Sequence, residues 1–153
     1  MRDKRDFSRM PDFAQLRASA EWDFTLQNYI ESRGTMELAV AFADLFWPEF
    51  EIRDGCILRT AGLSDSTFRQ WWVSTDGDQQ RVERALNLLH VGELVPSDPS
   101  ASPEMLRFLA ETLADMWLAR LRQLYPDRDF VVRAELDEPA GPTVLCYQRE
   151  VRR

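Results

Sequence analysis

Hydrophobic positions change period several times along the chain, and each change predicts an element. Leu16, Ala20, Trp22, Leu26, Tyr29 and Ile30 recur at helical spacing behind Asp12 and Gln15, which pair as a capping box. This predicts one long helix or two, ending at Gly34 in a left-handed cap. Thr35 then opens a helix whose face is Leu38, Ala41, Phe42, Leu45 and Phe46, and Pro48, lacking an N–H, stops it. Asp54-Gly55 suits the positive dihedrals of a type I′ turn, so residues 50–59 read as a hairpin. In that register Ile52 faces Ile57 on one side while Glu51 and Leu58 share the other, with Phe46, Trp47 and Phe50 expected over a single apolar face.

Ser64 or Asp65 caps a short helix carrying Phe68, Trp71 and Trp72. Asp76 with Gln79 predicts another capping box, followed by a stripe of Val82, Ala85, Leu86 and Leu89 in a helix that closes at Val91-Gly92 and leaves His90 at its end. Val95 to Ser102 has the composition of a linker. Ser102 and Pro103 start the strongest helix, with Leu106, Leu109, Ala110, Leu113, Trp117, Leu121 and Leu124 inward until Tyr125-Pro126 ends it. The tail alternates: Phe130, Val132, Ala134 and Leu136 share one face, and after a Pro-Ala-Gly-Pro bend Val144 and Cys146 do the same, which predicts a second hairpin with one dry face. The expected fold is α+β, helices packed on a small antiparallel sheet built from two β-hairpins. A loose arm over residues 1–12 precedes a single domain over 13–153.

Charge changes this picture more than composition does. The net charge is −7, but residues 1–20 hold five bases and three acids, and residues 148–153 hold three bases and one acid. The remainder therefore has eleven bases against twenty-two acids, or −11. Such a body repels phosphate, which argues against nucleic acid and anionic membrane as partners; solubility is its plainer use, and an acidic face that recognises a basic protein is the other. No apolar run is long enough for a membrane span, and Cys56 and Cys146 lie far apart in sequence, so a cytoplasmic location with reduced thiols is expected. The basic residues are arginines except for Lys4, a bias that fits a GC-rich bacterial genome.

Candidate chemistry is sparse. The chain has one histidine and no Gly-rich phosphate loop, G-x-S-x-G elbow, H-E-x-x-H or paired-cysteine spacing, so sites needing two imidazoles from one chain are excluded, and neither a metal nor a cofactor is expected. His90 could serve as a lone general base, though a helix-end histidine more simply caps or packs. Trp71 and Trp72 cannot both point the same way on a helix, so one belongs to the core and the other could wall a groove. Glu51 could add a carboxylate beside them, although solvation is its plainer use. The Phe46-Trp47-Pro48-Glu49-Phe50 stretch followed by Asp54-Gly55-Cys56, with Asn87 and His90 downstream, resembles a pattern found in uncharacterised small bacterial proteins, over residues 36–95. That resemblance implies a bacterial domain and transfers no catalytic role. The expectation is a protein-binding domain, immunity- or inhibitor-like, covering a basic partner. The alternative is a small-molecule enzyme or ligand-binding protein with a pocket near Trp71, Trp72 and His90.

Overall fold

The computed structural model describes residues 10–95, 98 and 100–149. Most of the expected arm, residues 1–9, and parts of the expected linker lie outside the described residues. The chain divides into two compact units, residues 1–42 and 43–153.

In the first unit the helical run is broken in two: α1 spans Pro11–Ser19 and α2 spans Leu26–Arg33. Asp12 lies within the first turn of α1 and does not cap it; Met10 takes the cap position with no side-chain hydrogen bond. The Asp12 carboxylate instead receives two hydrogen bonds from Arg33 on α2, at 2.8 and 2.9 Å, and this pairing holds it below the usual carboxylate range. Between the helices, Phe13 packs against Phe24 and, edge-on, against Tyr29. Thr25 caps α2 in a reciprocal box with Asn28. Gly34 does end α2, but with φ −81°, not in the left-handed region. Glycine is needed there for room, because a Cβ would stand 2.7 Å from the Ile30 carbonyl oxygen that accepts the Gly34 amide. α3, Met36–Phe46, runs from this unit into the second, and the Thr35 hydroxyl accepts the Leu38 amide.

The second unit is the mixed part. β1 (Phe50–Arg53) and β2 (Cys56–Arg59) form the expected hairpin, with Ile52 opposite Ile57 and with Asp54 and Gly55 at φ 48° and 83°. After it come α4 (Asp65–Ser74) and α5 (Gln79–Leu86), then β3 (Leu89–His90) and a 3₁₀ turn at Val91–Glu93. α6 (Pro103–Leu124) leads to β4 (Phe130–Glu135) and β5 (Thr143–Gln148). Ser64 and Ser102 cap α4 and α6 as expected, whereas α5 is capped by Asp78, two residues beyond the predicted position. The reason is the turn before it: Asp76 and Gly77 adopt positive φ to leave α4, so Asp76 belongs to the exit of one helix and not the entrance of the next.

The fold is α+β as the pattern predicts, with two small antiparallel sheets: β1-β2, and β3-β5-β4. The short strand β3 replaces the last turn of the predicted helix. α5 stops at Leu86, and Leu89 and His90 pair with Val144 and Thr143 along the edge of β5.

Two apolar cores result. The larger joins Ala110, Leu113, Trp117 and Leu121 of α6 to Phe130, Val144 and Cys146 of the sheet and to Phe50 and Ile57 of the hairpin. The smaller is Cys56, Leu58, Phe68 and Val82. The hairpin therefore does not have one dry face: Phe50 and Ile57 point into one core while Cys56 and Leu58 point into the other, so β2 is a wall between them. β5 is likewise covered on both sides, since Thr143 to Tyr147 are all buried and Arg84 of α5 lies 4.8 Å from the Tyr147 ring on the face away from Cys146.

Candidate functional site

The sequence singles out Trp71, Trp72, His90 and Glu51. Trp72 is half-buried and stacks on Phe68 at 5.7 Å, while Gly77 passes so close to its ring that a Cβ would come within 3.2 Å. Trp71, one position along the helix, is 40% exposed. Glu51 accepts a charge-assisted hydrogen bond from Arg53 at 2.5 Å, and Arg53 also reaches Asp65 and lies 5.4 Å from the centre of the Phe68 ring. Arg53, Asp54, Asp65, Phe68 and Arg69 line a shallow depression of about 220 Å³. His90 is half-buried on β3, its backbone paired to Thr143. None of Trp71, Trp72, Glu51 and His90 lines that depression. Among the described residues no group of three or more histidines, cysteines or acids is placed to hold a metal ion.

Sequence reasoning missed a polar seam between the two sheets. The outer edge of β2 and the edge of β5 beyond β3 do not pair through their main chains, and side chains of α5 fill the gap. Glu83 is 1% exposed, and its carboxylate accepts the Ile57 amide at 2.7 Å, the Gln148 amide at 2.6 Å and Gln148 Nε2 at 2.5 Å. Asn87, one turn later and fully buried, accepts the Arg59 amide at 2.9 Å and donates to the carbonyls of Ile57 and Cys146. Gln148 Nε2 also donates to the Gly55 carbonyl. The (i, i+4) spacing of Glu83 and Asn87 is visible in the sequence, but nothing local marks the pair as buried, because only the opposing edges give them a purpose. Burial raises the Glu83 carboxyl above its ordinary range, with the three donors offsetting part of that rise. Nearby, the Arg59 guanidinium lies 4.3 Å from the centre of the Trp117 indole, and its buried Nε finds no hydrogen-bond partner among the described residues.

The other unexpected feature is α3. Nine of its eleven residues are apolar, yet none is buried. Its C-terminal turn is anchored, because Leu45 and Phe46 pack on the larger core and the Leu45 carbonyl accepts Trp117 Nε1 at 2.9 Å. Every residue from Glu31 to Asp44 is exposed, including Met36 at 80%, Leu38 at 50% and Val40 at 65%. The charges on the helix are both acidic, Glu37 and Asp44. A surface of this kind can bind apolar groups carried by a cationic segment, and the seam holds the sheets without presenting a reactive group.

No protein-family model matches this chain, and neither does any curated protein or solved structure.

Proposed function

We propose that this protein is a binding domain for a basic protein partner, immunity- or inhibitor-like in covering a cationic surface with an acidic one. The observation that carries this reading is α3, an apolar helix with exposed side chains and only carboxylates for charges. Exposed apolar area of this kind marks interaction sites, and the acidic body would speed encounter with a cation-rich surface. A bacterial cytoplasmic setting belongs to the same proposal, supported by two free, buried cysteines. No helix among the described residues is long and apolar enough to cross a membrane.

The test is capture on the tagged full chain from a bacterial lysate, identification of what is retained, and titration of the purified pair in rising salt. A basic protein whose affinity falls with ionic strength is the expected result. Capture of nothing, or of a partner indifferent to salt, would reject the proposal.

A further inference from the structure

Resting on the binding reading above, we infer that the occupant of α3 is an amphipathic helix carrying two cationic side chains two turns apart around an apolar stripe. Glu37 and Asp44 stand seven residues apart on one helix, so they share a face and are separated by about 10.5 Å along its axis. Val40 and Ala41 lie between them on that face and are exposed. The result is an apolar patch bracketed by carboxylates. Ala41 lies beside Val40 on that face, and a small residue there leaves a groove into which a ridge of a second helix fits.

The occupant's secondary structure follows from what α3 cannot offer. A helix surface has no free main-chain groups in its middle turns, so an extended peptide lying on Val40 would leave its own amides unpaired. A helix satisfies its own. Charge selects the occupant's identity. A second copy of this chain docking antiparallel would set Glu37 against Asp44 of the other, like charge on like, whereas lysines or arginines seven residues apart meet both carboxylates. An anionic lipid surface has the same wrong sign.

Two designed helical peptides test this, identical in their leucine stripe but bearing lysines or glutamates at the two flanking positions, titrated by fluorescence anisotropy against the full chain. The lysine peptide should bind and the glutamate peptide should not. The double variant Glu37→Lys, Asp44→Lys should weaken the lysine peptide by roughly tenfold or more, and so should Val40→Asp, with circular dichroism unchanged in both and melting unchanged in Val40→Asp, whose side chain is exposed. Equal binding of both peptides, binding of neither, or no loss in the variants would overturn the inference. Self-association of the chain, or attachment to anionic vesicles, abolished by Val40→Asp would overturn it in favour of those occupants. A natural basic partner that binds the α3 variants normally leaves the binding reading standing and rejects this site alone.

Discussion

Glu83 shows what a buried acceptor supplies between two strands. Three donors converge on it and it has no cation in ion-pairing range among the described residues, so both oxygens must accept. Glu83→Gln keeps the shape but turns an NH₂ toward a main-chain or side-chain donor. It should therefore destabilise the protein by about 1–3 kcal/mol, the cost of leaving a buried donor unmade, measurable by urea unfolding at neutral pH. The sign of the pH effect follows from burial. With its folded value raised above the unfolded one, Glu83 contributes stability that is fully present below the ordinary glutamate range and is lost as pH rises through the raised value. The stability difference between the native protein and Glu83→Gln should accordingly narrow across that interval; a difference that widens with pH would contradict the assignment. Nothing in the sequence distinguishes Glu83 from exposed acids such as Glu93 or Glu104, because its environment is made by Gln148, sixty-five residues away.

At the scale of elements, legibility followed locality. Ser64 and Ser102 caps, the Asp54-Gly55 turn and the register of the first hairpin depend on residues a few positions apart, and all were readable. Leu89 was not. It fits a helical stripe and a strand equally, and what decides is the edge of β5, which offers main-chain partners at Val144 and Thr143. The same edge explains His90: its place depends on backbone pairing, so His90→Ala should shift unfolding by about 1 kcal/mol or less and leave partner binding unchanged. A variant that keeps its melting point but loses a function would instead revive the catalytic reading of this residue. Hydrogen exchange should rank the strands, with the central strand β5 slowest and the two-residue β3 faster.

Across the second unit the two cysteines report on integrity. Cys56 lies in the smaller core and Cys146 in the larger, and burial pushes both thiols up to about 12. Neither should react with a thiol reagent in the native state, and both should become titratable on unfolding; reaction of Cys56 ahead of Cys146 would show that the smaller core opens alone. The two-core layout escaped the sequence reading because alternation along Cys56-Ile57-Leu58 is hidden when both faces are apolar, and such a run reads as one dry face and one unexplained one. α3 was misjudged for the converse reason: its period announces a buried stripe, yet periodicity records only which residues are apolar, not whether anything covers them.

The seam bears on how the protein behaves when crowded with its own copies. A hairpin's outer strand ordinarily displays unpaired amides and carbonyls, a template on which a neighbouring chain can add a strand. Here the Ile57 amide and carbonyl, the Arg59 amide and the Gly55 carbonyl are already occupied by Glu83, Asn87 and Gln148. Asn87→Ala would uncover three of the main-chain groups that Asn87 serves, at a cost of at least ~2 kcal/mol. Light scattering below the melting temperature should then show slow aggregation of this variant, while the native chain at the same concentration stays clear.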